Sequence, residues 1–144
     1  VRLGDLLFER MFYDAALIEY AKASKGEDTP SPNILSKEAI CLLKMKRKEE
    51  AVNKLRKAER LYPEHSVVLS TVAKFQETEG QAQKAIQTWE TVHLINPYQT
   101  EMHESLIRLY KKTGNKEQEQ EHLEYLNILK TGGAILIKGA RNAE

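Results

Sequence analysis

Two stretches decide the fold: Ala51–Pro63, AVNKLRKAERLYP, and Ala85–Pro97, AIQTWETVHLINP, in which position 51 maps onto position 85 by a step of 34. Both open on a small residue, place a large apolar residue four positions on (Leu55, Trp89), follow it three later with Ala58 or Val92, and close on Pro63 or Pro97. Working outward, Ala16 heads a third copy, with Tyr20 and Ala23 in the same columns. Twelve residues before each alanine stand Gly4, Ala39 and Ala73, again small. Gly80 and Gly114 repeat the step, and the period continues through Leu106, Ile107, Tyr110, Leu123 and Leu126. A period of this length marks a chain built from one recurring supersecondary unit.

Within a copy the apolar positions, such as Leu35, Ala39, Leu42 and then Ala51, Leu55, Ala58, Leu61, recur at steps of three or four. That spacing puts them on one face of a helix, so each copy is two amphipathic helices. Helices are expected near 1–9, 12–25, 33–45, 48–61, 67–78, 82–95, 100–112 and 116–130. Gly80 and Gly114 suit a left-handed turn after a first helix, and Pro63 and Pro97 suit the exit from a second. Ser31-Pro32 reads as a cap and first helical residue, and Ser66 and Thr100 are expected to cap later copies.

Composition agrees with one packed domain. The chain has 144 residues, 41% hydrophobic and 30% charged, a mixture that excludes disordered and low-complexity classes. Twenty-two basic against 21 acidic side chains leave a net charge of +1, too small a field to draw the chain onto nucleic acid or an anionic membrane. The single Cys41 excludes an intramolecular disulfide framework, and no apolar run is long enough for a membrane helix. Because the sequence begins at Val1, partway through a first helix, a longer array or another domain is expected upstream.

These columns resemble the tetratricopeptide repeat family, whose 34-residue unit carries small residues at its eighth and twentieth positions, a large one at the twenty-fourth and proline at the thirty-second. The matching residues are Gly4, Ala39, Ala73; Ala16, Ala51, Ala85; Tyr20, Leu55, Trp89; and Pro63, Pro97. The resemblance covers the chain to about residue 130 and implies an all-α, right-handed superhelix of about four helix pairs. Copies fall near 1–31, 32–65, 66–99 and 100–130, followed by a tail, 131–144. Small residues admit close helix approach, and the large one fills the hole beside them. Asp28 replaces the proline of the first copy, so a looser junction is expected there. Glu119 and Thr131 depart from the pattern in the last copy, whose Glu117, Glu119, Glu121 and Glu124 suit the polar outer face of a terminal unit. The tail's apolar run, Ala134–Ile137, is expected to fold back as a cap.

The resemblance further implies that the first helix of each pair lines a concave peptide groove. Transferred copy by copy, that face would hold Asn33, Ser36, Lys37, Ile40 and Lys44, then Val67, Ser70, Thr71, Lys74, Glu77 and Thr78. The last pair would add Glu101, Glu104, Ser105, Arg108, Lys111 and Lys112. Lys37, Lys44, Lys74, Arg108, Lys111 and Lys112, with Asn33 and Ser70, are therefore the expected partner-binding set, favouring a carboxylate-bearing peptide. The family's two-carboxylate clamp for chaperone tails is absent. Its positions hold Ser36, Ile40, Thr71, Glu101 and Ser105 in one register and Val1, Asp5, Lys37, Val67 and Thr71 in the other.

Chemistry-bearing motifs are sparse. His103-Glu104-Ser105-Leu106-Ile107 lacks the second histidine that a zinc-protease helix needs. Glu119-x-x-His122 is half of a carboxylate-bridged metal pattern with no expected counterpart, so both histidines are taken as surface residues and no metal is expected. Cys41 falls in a small buried column and reads as an inert core thiol. Trp89 and Tyr20 read as core fillers. No phosphate-cradling or dinucleotide motif occurs, hence no catalytic residue and no cofactor is expected. The expected function is a non-catalytic protein-interaction scaffold. The alternatives are self-association through the tail or a terminal helix, and a docking or regulatory arm of a larger protein whose catalytic domain lies outside this chain.

Overall fold

The computed structural model describes residues 1–132. Eight α-helices and no strand occur among the described residues: α1 Arg2–Glu9, α2 Tyr13–Ser24, α3 Pro32–Lys44, α4 Lys48–Leu61, α5 Ser66–Thr78, α6 Ala82–Ile95, α7 Thr100–Thr113 and α8 Lys116–Thr131. Every bound lies within a residue or two of the periodicity's expectation, because the glycines, prolines and capping residues that interrupt the pattern are the residues that end helices. None of these helices is long and apolar enough to cross a membrane. The expected fold-back of Ala134–Ile137 lies outside the described residues.

One turn recurs in every copy. Met11, Lys46, Gly80 and Gly114, at successive steps of 35, 34 and 34, all hold left-handed backbone, with φ of 64°, 61°, 73° and 78°. Behind each, the same crossed closure forms. Met11 N–H donates to Phe8 C=O and Phe12 N–H to Leu7 C=O; Lys46 and Arg47 repeat this onto Leu43 and Leu42; Gly80 and Gln81 onto Glu77 and Gln76. This Schellman arrangement satisfies carbonyls that the helix end would orphan, and it reverses the chain within a few residues. Glycine adopts the conformation at no steric cost, whereas Met11 and Lys46 hold it against one.

Capping departs from expectation at two places. Ser31 does cap α3, its Oγ accepting from Ile34 N–H at 3.2 Å with Pro32 at the first helical position. Ser66 and Thr100, by contrast, are themselves the first helical residues. His65 stands before α5, its carbonyl accepting from Leu69 N–H and its Nδ1 from Val67 N–H at 3.3 Å. Gln99 stands before α7 with no side-chain cap.

The chain forms two compact units, Val1–Val72 and the part from Ala73 onward, with α5 contributing to each. In the first, Ala16, Tyr20, Ile34 and Cys41 are buried together, with Leu7, Phe8, Tyr13, Leu17 and Ala23 packed against them. A second cluster joins Leu35, Ala58 and Val68, with Tyr62 alongside. Gly4 shows why its column is small: a Cβ there would sit 2.7 Å from Cε1 of Tyr20. Tyr20 gives its hydroxyl to Asp5 Oδ1 at 2.7 Å. Buried Glu38 accepts from Lys54 Nζ at 3.0 Å, the partner that a carboxylate held away from water requires. The connection expected to be loose is anchored, since Pro30 is buried and its carbonyl accepts from Tyr62 Oη at 2.9 Å.

In the second unit Ala85, Trp89, Val92, Met102 and Leu106 are all fully buried. Burying an indole removes about 150–250 Å² from water, a gross gain of about 5 kcal/mol. The Trp89 Nε1–H is not left bare: Glu77 Oε1 accepts it at 3.3 Å. In α8, Glu117, Glu121 and Glu124 are exposed and Glu119 is half-buried, the polar outer face expected of a last copy.

Candidate functional site

The cations of the first helices divide into two groups. Lys37, Lys74 and Arg108 are each held by a carboxylate. Lys37 Nζ lies 2.6 Å from Asp5 and 5.6 Å from the Tyr20 ring centre. Lys74 Nζ lies 2.6 Å from Glu101. Arg108 Nη2 reaches both Glu77 oxygens, at 3.1 and 2.9 Å, and Ser105 Oγ at 3.3 Å. Lys44, Lys111 and Lys112 are exposed. Of the neutral members of the set, Asn33 is exposed and Ser70 is buried, its hydroxyl given to Ser66 C=O at 2.7 Å. Ser36, Thr71 and Ser105, expected on the groove, are buried too. Thr71 turns its hydroxyl back onto its own helix, to Val67 C=O at 2.9 Å, whereas Ser36 Oγ is buried without a partner among the described residues.

The second unit also gathers a cluster that periodicity does not announce. His103 and His122 are buried, at 0% and 2% exposure, and not surface residues as the sequence suggests. His103 occupies the column of Leu35 and Leu69, one step of 34 apart each, so the repeat itself carries it into the core. Its Nε2 lies 2.7 Å from Pro97 C=O and its Nδ1 lies 2.9 Å from His122 Nδ1. His122 Nε2 lies 2.9 Å from Glu90 Oε1, which also accepts from Tyr110 Oη at 2.7 Å. The other Glu90 oxygen stands 3.4 Å from His93 Nδ1. Tyr110 stacks on His122, and Tyr125 meets His93 edge-on with centres 5.1 Å apart.

Acceptors at the two ends fix the hydrogens of this chain. A carbonyl only accepts, so His103 Nε2 carries hydrogen; an ionised carboxylate only accepts, so His122 Nε2 does likewise. A third hydrogen must then lie between the two Nδ1 atoms, or two lone pairs would face each other at 2.9 Å. Burial by itself raises the Glu90 carboxyl, but hydrogen bonds from His122 and Tyr110 outweigh it and bring the group down to about 2. Burial lowers His103, and the neighbouring histidines lower it further against the Pro97 carbonyl. Burial pushes Cys41 up to about 11, with Glu38 adding to it, as befits an inert thiol.

Glu119 lies outside the cluster, and the carboxylate comes from Glu90-Thr91-Val92-His93 on α6, a Glu-x-x-His step that puts both side chains on one helix face. Of Glu119-x-x-His122 only the histidine joins this α6 step.

In sequence, no family model and no curated protein matches the chain. Among solved structures it is similar to MamA, with 17% identity over 93% of this chain and 78% of that one, at a TM-score of 0.75. MamA from Desulfovibrio magneticus gives 17% identity over 91% and 73%, at 0.72. PilF of Pseudomonas aeruginosa gives 22% identity and a TM-score of 0.74 over 88% of this chain, which spans 58% of PilF. At these identities the likeness establishes the fold: an all-α helical repeat of the tetratricopeptide type.

Proposed function

We propose that the chain is a non-catalytic scaffold that binds a protein or peptide segment on the outward face of α7 and the adjoining end of α5 in the second unit. The observation that carries this reading is the division of α7. Met102, His103, Ser105, Leu106, Leu109 and Tyr110 are buried, while Glu101, Glu104, Arg108, Lys111 and Lys112 face outward. The buried face is spent on the core, and the outward face ends in two adjacent lysines. Exposed ion pairs such as Lys74–Glu101 contribute only about 0–1 kcal/mol, so a ligand carboxylate competes with them at little cost. An acidic segment would meet Lys111 and Lys112 directly and exchange with Glu101 and Glu77 for Lys74 and Arg108. The shared fold with MamA and PilF supports a scaffold role as a class, and fold alone does not name the partner.

The test is capture from source lysate read by mass spectrometry. The parent chain is compared with Lys74→Glu/Arg108→Glu and Lys111→Glu/Lys112→Glu, all first shown equally helical. Partners held by the parent and lost by either double variant support the reading, and partners held equally by all three contradict it. A second reading, self-association through an open terminal pair, is favoured by the apolar exposure of Leu3, Leu6, Met11, Phe12 and Ile18 on or beside α1 and α2. Light scattering that returns a concentration-independent monomer would remove it.

A further inference from the structure

Glu90, His93 and His122 bring one carboxylate oxygen and two ring nitrogens within 4.8 Å of one another. From that convergence we infer that these three side chains form a binding site for one divalent transition ion of the zinc type, with His103 as the residue that positions His122. This goes beyond the scaffold reading and does not rest on it. The donor set, two imidazoles and a carboxylate, is that of zinc sites with three protein ligands and an open fourth position.

The geometry behind the ligands carries the inference furthest. A metal-bound imidazole coordinates through one nitrogen and gives the other N–H to a fixed acceptor, which sets its tautomer and orientation. His122 is arranged in this way. With Nε2 as ligand, its Nδ1–H donates to His103 Nδ1 at 2.9 Å, and His103 Nε2–H donates to Pro97 C=O at 2.7 Å. Both rings are then neutral and every ring nitrogen is satisfied. The carboxylate is held as well, with Tyr110 Oη 2.7 Å from Glu90 Oε1.

Spacing and access agree. In a tetrahedral site with bonds of about 2.0–2.1 Å, neighbouring ligand atoms stand about 3.4 Å apart. The two histidines flank opposite oxygens of the one carboxylate, His93 Nδ1 3.4 Å from Glu90 Oε2 and His122 Nε2 2.9 Å from Oε1, and the three ligand atoms lie within 4.8 Å of one another, so the triangle contracts when it closes on an ion. The side chains of His93 and Glu90 are 20% and 35% exposed while that of His122 is 3% exposed, so the site opens to solvent on the α6 side and is closed behind.

The test is calorimetric titration of the chelator-treated full chain with Zn²⁺ alone, run in two buffers of different ionisation heat. One ion per chain is expected, and the difference between the two buffers reads any protons released on binding. His93→Ala and Glu90→Gln should each weaken binding at least about 10-fold, while His65→Ala, whose ring lies in the first unit, should leave it unchanged. His93 and Glu90 are used because both are partly exposed, so helicity can be checked and kept. No stoichiometric binding, binding equally tight in folded His93→Ala, or binding lost in His65→Ala would each overturn the site.

Discussion

The two units solve the same packing problem with different chemistry. In the first, the column at Leu35 is aliphatic and fully buried, and charged partners such as Lys37–Asp5 lie at its rim. In the second, the equivalent column holds His103, equally buried, tied into a polar chain from Pro97 to Tyr110. The turns differ in the opposite sense. The first unit sets Met11 and Lys46 in left-handed backbone, while the later copies use Gly80 and Gly114 there. A repeat therefore fixes volume and backbone at a column, and leaves the means of supplying them open. A hydrogen-bonded imidazole can stand for leucine, and a strained lysine for glycine, where neighbours compensate.

The largest effects should come from the columns that both units share. Trp89→Ala should cost about 3–5 kcal/mol in denaturant unfolding, and Leu35→Ala about 2–5, since each empties a fully buried site. A loss below 1 kcal/mol at either would show that its unit does not depend on that column. The histidine column should respond less strongly. His103→Leu restores the apolar residue of the other copies yet strands His122 Nδ1 and the Pro97 carbonyl, a destabilisation of about 1–3 kcal/mol. A stabilised variant would show the polar chain to be merely tolerated.

Turn substitutions should move stability in opposite directions. Lys46→Gly relieves a left-handed side chain and should gain up to about 1 kcal/mol, whereas Gly114→Ala should lose about as much. Equal signs in thermal melts would contradict the turn comparison. Smallest is a pH effect at the first unit's rim. Hydrogen bonds from Lys37 and then Tyr20 hold the Asp5 carboxyl below its ordinary range. A lowered folded value means the contribution is complete above the unfolded value, near pH 4, and is lost as pH falls through the folded one. Asp5→Asn should accordingly flatten the acid limb of the stability profile below about pH 4, measured by urea unfolding across a pH series.

Fold was legible because its determinants are local and repeated. The Gly4 and Ala16 columns, Trp89 and Pro97 each recur at a fixed step, and each acts through volume or backbone geometry that a sequence displays. Caps were less so: Ser66 and Thr100 have capping side chains, but the helices begin at them, and a shift of one residue removes the role. The polar cluster was least legible, since His93, His103 and His122 come from three helices and meet only through packing. Two signals existed, a histidine in an apolar column and a Glu-x-x-His step on α6, and neither acquires meaning until the helices are placed side by side. The division of the lysines was hidden for the same reason, because Glu77 and Glu101 reach Arg108 and Lys74 across helices.

The claim on which this comparison turns is that the second unit's apolar core encloses one hydrogen-bonded chain, from Pro97 through His103 and His122 to Glu90 and Tyr110. Nitrogen-detected imidazole NMR on the metal-free full chain near neutral pH tests it most directly. The account predicts His103 with hydrogen on Nε2, His122 with hydrogen on Nε2, and a third hydrogen shared between the two Nδ1 atoms. A His103 ring bare at Nε2, or a pair without the shared hydrogen, would contradict it.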